Sequence, residues 1–370
     1  MESTPPQNPK PGKNYYCVQA LRAIAAALVV VHHSITTWLD WVLHRPGAHQ
    51  WGNGATGVDI FFTISGFVMA ISLPGLAGKT NKAGVFLWRR ITRIVPLYWG
   101  ATTVKLLLLK FRPAGGLGAP VLTPWRIAAS YLFLPARNWR GEMFPVIDAG
   151  WTLNYEMFFY LLFASALALN VSPLAFLTPC LTAIAMLGML RPAGWPDITS
   201  LASPLVLEFL YGVILAHFAM RRKLPRAGIA AILLVGGFIT LMIMPQTSAA
   251  WRFIPWGIPA AAVVTGAVAL EGRLGQYIPR WLLAAGDASY ALYLVHILIL
   301  PFLGSVMGHL HLKGVAGLAV VIALGLGVSL PAAVLVHRLI EKPLMLLFKK
   351  KPAAVPALAA TPAIPEPASA

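Results

Sequence analysis

The stretch VQALRAIAAALVVVHHS, residues 18–34, decides the fold because it is apolar enough to cross a bilayer. It nevertheless carries Arg22 near one end and the adjacent His32 and His33 near the other. A charged side chain at the centre of a spanning helix costs roughly 2.5–3.5 kcal/mol on insertion scales, so such residues usually mark function. The segment therefore predicts both a membrane span and a functional site inside it.

The composition of the whole chain agrees with this segment. Of its 370 residues, 58% are hydrophobic and only 11% are charged, and the mean hydropathy is +0.72. A soluble domain has about 25% charged residues, so this chain has too few polar side chains to cover a water-facing surface. Strand-like alternation is absent, which favours helices over a membrane barrel. We predict an all-α integral membrane protein.

Windows of about 20 apolar residues separated by polar breaks mark the predicted spans. We expect about ten transmembrane helices, near residues 17–38, 56–74, 94–111, 150–169, 174–190, 204–220, 226–244, 253–270, 285–305 and 314–337. The segment PWRIAASYLFLP, residues 124–135, is too short to span.

The distribution of Lys and Arg predicts the orientation. If both termini are cytoplasmic, cytoplasmic segments hold a roughly two-to-one excess of Lys and Arg over external ones, as the positive-inside rule requires. The net charge of +17 is then a topology signal rather than a sign of nucleic-acid binding. The expected partner of this surface is the lipid bilayer.

The ends of the chain differ from its centre. Residues 1–14 are polar and Pro-rich without a cleavage signal, and residues 349–370 are rich in Ala and Pro. We expect a disordered leader and a disordered tail around a transmembrane domain at 15–348. The two cysteines, Cys17 and Cys180, are far apart in sequence, and we predict no structural disulfide.

Arg22 and His33 share one face of the first span, since 11 helical steps come within about 20° of three full turns. They lie about 16 Å apart along the axis. Each residue also has an alternative without a catalytic role. Arg22 could be a flank residue whose side chain reaches toward the membrane surface, and His33 could form a packed interhelical hydrogen bond. His32 is rotated by about 100° from His33 and is expected to be structural.

A second basic feature is FLWRRITRIVPLYW, residues 86–99, in which Arg90 and Arg93 point the same way on a helix. The planar fork of arginine suits bidentate binding of phosphate. The alternative is a topology signal that contacts anionic lipid.

Acidic residues near the predicted external ends of spans complete the set of candidates. We expect Asp59 and Glu156 at a depth similar to that of His33, where a carboxylate can orient an imidazole and stabilise its protonated form. The alternative is a polar contact that only holds helices together. Weaker candidates, including cavity-lining residues, are Glu208, Asp287, His296 and Trp151. The sequence contains no Walker loop, CxxC, HExxH or GxSxG motif, and we predict no metal site.

Taken in order, these segments resemble the acyltransferase 3 family of membrane O-acyltransferases from about residue 14 to 345. The R-x10-H pattern of Arg22 and His33 and the R-x-x-R pattern of Arg90 and Arg93 are similar to family motifs. GVDIFFTISGFVMA, WTLNYEMFFYLLF with Glu156, DASYALYLVH and IEKPL match four further family segments. The opening YYCVQALRAIAA, and a chain without an added soluble domain, resemble the branch that acetylates exopolysaccharides.

The resemblance implies transfer of an acyl group, usually acetyl from cytoplasmic acetyl-CoA, to a carbohydrate hydroxyl, at a bacterial inner membrane and near polysaccharide biosynthesis machinery. In this hypothesis Arg22, Arg90 and Arg93 hold the CoA phosphates and no cofactor is resident. His33 is the general base, oriented by Asp59 or Glu156. Alternatives are an acyltransferase for a small molecule or a lipid, a glycan or drug transporter, and a scaffold subunit of a synthase. The lack of a convincing internal repeat counts against the transporter.

Overall fold

The computed structural model describes residues 15–45, 51–111, 122–138, 140–192, 194–248, 250–310 and 314–348. All regular secondary structure within these ranges is helical. The predicted leader, residues 1–14, and the predicted tail, residues 349–370, lie outside the described residues, so their disorder stays a prediction. Cys17 and Cys180, for which we predicted no disulfide, are both free cysteines in the structure.

Fourteen α-helices, labelled α1 to α14, follow one another along the described chain. They are Tyr16–Thr37, Gly57–Ile71, Lys82–Lys110, Pro124–Tyr131, Trp151–Ala168, Pro173–Leu190, Val206–Met220, Ala227–Ile243, Gly257–Ala269, Glu271–Leu274, Arg280–Asp287, Ser289–His309, Gly314–Val336 and Lys342–Leu347. A short π-helical segment continues α1 and another continues α13.

Each of the ten predicted spans coincides with one of these helices, and α3 begins 12 residues before its predicted start. Six described helical segments are long and apolar enough to cross a membrane, or seven if the pair Gly257–Ala269 and Glu271–Tyr277, bent by 52°, is one span. The remaining predicted spans form helices that are shorter or more polar. The chain is therefore a multi-pass membrane protein, while ten spans and cytoplasmic termini stay predictions.

Helix α1 lies at the centre of the bundle, in contact with α2, α11, α12 and α13. Its first turn is capped from far along the chain, because the backbone N–H groups of Tyr16 and Cys17 donate to the carboxylate of Glu271, each at 2.8 Å. Such a cap satisfies amide groups that have no partner within the helix.

Helix α2 packs against α7 without side chains between the two backbones. A Cβ atom at Gly66 would lie 2.0 Å from the carbonyl oxygen of Phe209, and one at Gly212 would lie 2.0 Å from that of Thr63. Small residues of this kind allow close helix approach in membranes, where packing rather than hydrophobicity drives association. This contact fixes α2, and with it the position of Asp59.

Candidate active site

Helices α1 and α12 meet along a seam that is closed by a polar contact at each end. At one end the Arg22 guanidinium donates to Ser289 Oγ from Nε at 3.2 Å and from Nη2 at 3.0 Å. At the other end, His33 Nδ1 lies 3.2 Å from His296 Nε2. Since Arg22 precedes His33 and Ser289 precedes His296, the two helices run parallel. The predicted common face of Arg22 and His33 is confirmed.

A cavity with an empty volume of about 790 Å³, its open mouth included, begins at the arginine end of the seam. Its polar and charged lining consists of Arg22, Arg90, Arg93, Glu156, Ser65, Thr152, Ser289, Tyr160, Tyr290 and Tyr293. The structure therefore brings together the three arginines that the sequence singled out.

The positive charge of this arginine cluster, Arg22, Arg90 and Arg93, is only partly balanced. Glu156 is the one carboxylate among the described residues that line the cavity. Arg90 Nε is buried and has no hydrogen-bond partner among those residues. A buried donor without a partner is costly, about 1–3 kcal/mol, and an anion bound in the cavity would satisfy it. The cavity is thus suited to a phosphate-bearing ligand.

Glu156 lies at the arginine end of the seam, not beside His33. Its Oε1 accepts hydrogen bonds from Ser65 Oγ at 3.0 Å and from the Tyr160 hydroxyl at 2.5 Å. The predicted contact between Glu156 and the imidazole of His33 is therefore corrected. A tyrosine one helical turn further along α5, rather than a histidine, holds this carboxylate.

Asp59 is the second corrected candidate, because it forms a buried ion pair with Arg252. The Arg252 guanidinium donates from Nε at 2.9 Å and from Nη2 at 2.6 Å, which makes the pair bidentate. Arg252 Nη2 also donates to the carbonyl of Ala55 at 3.0 Å, and the guanidinium lies 4.7 Å from the ring centroid of Trp256. Asp59 thus neutralises an arginine and does not contact His33.

Glu208, the weaker candidate, is completely buried in α7 near this ion pair. Its carboxylate interacts with Asp59 and Arg252, so it belongs to the surroundings of this ion pair. The structure does not bring it to the seam, and nothing in its surroundings assigns it a chemical role.

His33 and His296 form the other end of the seam, with ring centroids 5.0 Å apart. His296 is completely buried, whereas His33 is partly exposed. His33 does not line the arginine cavity, but its partner His296 neighbours Tyr293, which does, with ring centroids 6.1 Å apart. Tyr293 and His296 therefore lie between the arginine cavity and the candidate base His33.

His32 faces a different part of the bundle. Its Cβ atom lies 2.8 Å from the position that a Cβ at Gly54 would take, and its Nδ1 is buried without a hydrogen-bond partner among the described residues. The expectation that His32 is structural agrees with this packing.

Trp151 and Asp287, two further predicted cavity residues, have different outcomes. Trp151 does not line the cavity; it packs against Phe62 and Tyr155, with ring centroids 6.5 and 5.9 Å apart. Asp287 accepts a hydrogen bond from the side chain of Gln19 and lines a second cavity, which shares Arg22 with the first. The prediction for Trp151 is corrected, because the rotation of α5 in the bundle cannot be read from its own segment, whereas Asp287 does line a cavity beside Arg22.

Sequence reasoning missed Ser289 and Tyr293, which line the cavity, whereas His296, which was predicted to line it, does not. Ser289, Tyr293 and His296 follow an i, i+4, i+7 spacing in DASYALYLVH, so helical periodicity was a signal that pointed to Ser289. Arg252 gave no such signal, because one arginine in a predicted external segment is ordinary.

Comparison with known proteins finds a family model and relatives that this chain matches. A family model described as an acyltransferase domain matches residues 15–338. The chain is 32% identical over 316 residues to the exopolysaccharide production protein ExoZ of Rhizobium meliloti (strain 1021), covering 80% of this chain and 91% of the relative. It is 26% identical over 341 residues to the acyltransferase MdmB of Streptomyces mycarofaciens, covering 81% and 84%. No solved structure matches it significantly.

Proposed function

The chain belongs to the acyltransferase family whose model it matches, and on that premise we propose that it moves an acetyl group from acetyl-CoA to a polysaccharide hydroxyl. The acceptor is the polymer or its lipid-linked precursor. One observation carries the proposal: an under-neutralised arginine cluster and a histidine pair occupy the two ends of one helix seam.

The arginine cluster supports a donor that carries phosphate groups. Coenzyme A has a diphosphate and a 3′-phosphate, so its negative charge matches the three guanidinium groups and the unpartnered Nε of Arg90. The thioester end of such a donor is uncharged, and in this proposal it extends past Tyr293 toward the histidines. Because acetyl-CoA is cytoplasmic, this assignment places the arginine end on the cytoplasmic side.

His33 is the proposed general base. Its imidazole is partly exposed and takes the proton of the acceptor hydroxyl as that oxygen attacks the thioester carbonyl. Such catalysis contributes roughly 10²–10⁴-fold to the rate. Glu156 and Asp59 do not take part in this step, because their hydrogen bonds go to Tyr160, Ser65 and Arg252.

The relative ExoZ supports the choice of acceptor, since its name assigns it to exopolysaccharide production. MdmB supports the reaction class without naming an acceptor. A polysaccharide acceptor places the protein in a bacterial inner membrane, where lipid-linked sugars and polysaccharide biosynthesis machinery are found.

The test uses membranes that contain the protein, labelled acetyl-CoA and three acceptor fractions from the native host: polymer, lipid-linked glycan and small molecules. We expect label in polymer or lipid-linked glycan with the wild type. His33→Ala should lose label by roughly 10²–10⁴-fold, and Arg93→Ala should require much more acetyl-CoA. The matched control is Arg89→Ala, since Arg89 neighbours Arg90 but is exposed and does not line the cavity.

Each contrary result has a separate meaning. Label only in small molecules would overturn the polysaccharide acceptor. A His33→Ala variant with wild-type turnover would remove the base assignment. No transfer by the wild type from acetyl-CoA or longer acyl-CoAs, with all fractions present, would contradict the acyl-CoA donor and favour a transporter or a scaffold subunit.

A further inference from the structure

His296 is a buried ionisable group that the proposed reaction does not use directly. No part of its side chain reaches solvent, so it cannot touch an acceptor in this state. Its Nε2 lies 3.2 Å from His33 Nδ1, and its own Nδ1 lies 2.8 Å from the carbonyl oxygen of Leu292. These contacts therefore determine which nitrogen of each ring donates and which accepts.

Carbonyl oxygens fix the positions of the protons. The Val29 oxygen lies 3.0 Å from His33 Nδ1, and the Leu292 oxygen lies 2.8 Å from His296 Nδ1. A carbonyl oxygen only accepts, so both Nδ1 atoms carry hydrogen. In a neutral imidazole the other nitrogen is then an acceptor. His296 Nε2 therefore accepts from His33 Nδ1, which shares its proton between His296 and Val29.

With its hydrogen on Nδ1, His33 has a free lone pair on Nε2. That atom has no hydrogen-bond partner within the part of the chain that the structure describes, and His33 is the more exposed of the two histidines. Building on the proposed function, we infer that His296 is a positioning residue, which holds His33 in the Nδ1–H tautomer and so makes Nε2 the base.

The proton balance of the transfer uses one nitrogen only. His33 Nε2 takes the proton of the acceptor hydroxyl while the new O–C bond forms at the thioester carbonyl. When the C–S bond breaks, the thiolate of coenzyme A takes that proton from Nε2. In between, the imidazolium of His33 donates from Nδ1 to a neutral His296, whose own proton stays on Nδ1 toward Leu292. A hydrogen bond to a charged group is stronger than a neutral one.

The experiment compares His296→Leu and His296→Gln in the labelled transfer assay. Leucine removes the acceptor, and we expect kcat to fall roughly 10- to 100-fold, the worth of a hydrogen bond to a charged group, with the KM for acetyl-CoA unchanged. Glutamine places an amide oxygen near the position of Nε2 and should restore most of kcat. A merely structural role would lower the amount of folded protein and would not separate kcat from KM.

A double variant tests whether His296 acts only through His33. We expect His33→Ala combined with His296→Leu to be no slower than His33→Ala alone, because residues that act as a unit are not additive. A further tenfold loss in the double variant would overturn the inference. So would wild-type kcat in His296→Leu, or equal losses in the leucine and glutamine variants.

A readout without activity separates this inference from the proposed function. Nitrogen NMR of ¹⁵N-histidine-labelled protein in bilayers, with His33→Ala as the assignment control, should give a protonated Nδ1 and an unprotonated Nε2 for His33. A protonated Nε2 in the wild type overturns the inference even if transfer is observed. If the expected tautomer is found but no acyl-CoA gives transfer, the tautomer assignment of His33 stands and only the proposed reaction is contradicted.

Discussion

Two arginine sites in this bundle differ in how their charge is balanced. Arg252 has a bidentate carboxylate, a backbone carbonyl and an indole face around it. The cavity lined by the arginine cluster of Arg22, Arg90 and Arg93 has one carboxylate among its described lining residues, and the buried Nε of Arg90 has no hydrogen-bond partner in the described structure. A guanidinium that is hydrogen-bonded to a carboxylate holds helices together, while guanidiniums without a carboxylate hydrogen bond are available to bind an anion. Charge within a membrane protein therefore marks a ligand site only where the neighbouring residues fail to neutralise it.

The largest expected effect comes from breaking the balanced site. Asp59→Ala removes the bidentate partner of the Arg252 guanidinium, and breaking a buried ion pair in this way destabilises a protein by about 3–5 kcal/mol. We expect a large drop in folded yield and in the unfolding temperature in detergent. Asp59→Asn combined with Arg252→Gln should recover much of that stability, because both charges are then removed together. An Asp59→Ala protein of normal stability that has lost only kcat would instead return Asp59 to a catalytic role.

A substitution in the arginine cluster should instead affect donor binding more than stability. Arg90→Met removes a donor that has no partner in the described structure, so we expect the stability to stay the same or to rise. The KM for acetyl-CoA should increase roughly 10- to 100-fold, since a hydrogen bond to a charged group contributes about 1.5–3 kcal/mol. Donor kinetics and thermal unfolding measured on the same preparation check both halves, with Arg89→Met as the exposed control. Lost stability with an unchanged KM would make Arg90 a structural residue.

The smallest expected effect concerns the one carboxylate of the cluster. Glu156→Gln keeps an acceptor for Ser65 and Tyr160 but removes the negative charge beside the donor phosphates. We expect the KM for acetyl-CoA to fall about two- to fivefold, the range of a solvent-screened ion pair, with little change in kcat. Steady-state kinetics at two salt concentrations measure this, because salt weakens the effect. A hundredfold loss of kcat would restore Glu156 as a partner of the base.

The fold class and most of the arginine site were readable in the chain. The 3.6-residue period of a helix puts Arg22 and His33 on one face, and Arg90 and Arg93 on another, so each pair is a local property of its own segment. The composition and the apolar windows likewise located the helices, since a bilayer demands apolar segments of a certain length. In these respects the structure confirmed the predictions.

Contacts between distant segments were not readable in the same way. Asp59 and Glu156 were both assigned to His33 by depth alone, yet Asp59 pairs with Arg252, 193 residues away, and Glu156 with Ser65 and Tyr160. Depth gives only the position of a residue along the membrane normal and leaves its position within the membrane plane open. The rotation of each helix about its own axis decides which partner its polar side chain meets.

What the sequence by itself determined is therefore the set of helices and the spacing of polar groups along each of them, because both follow from short-range backbone geometry and from transfer of side chains into lipid. Only the tertiary structure decided that His296, 263 residues from His33, is its hydrogen-bond partner. That contact depends on how closely α1 and α12 approach and how they are rotated, and these are set by packing across the whole bundle, as the glycine contacts of α2 and α7 illustrate. Packing of this kind is a property of all the helices together and is written in no single segment.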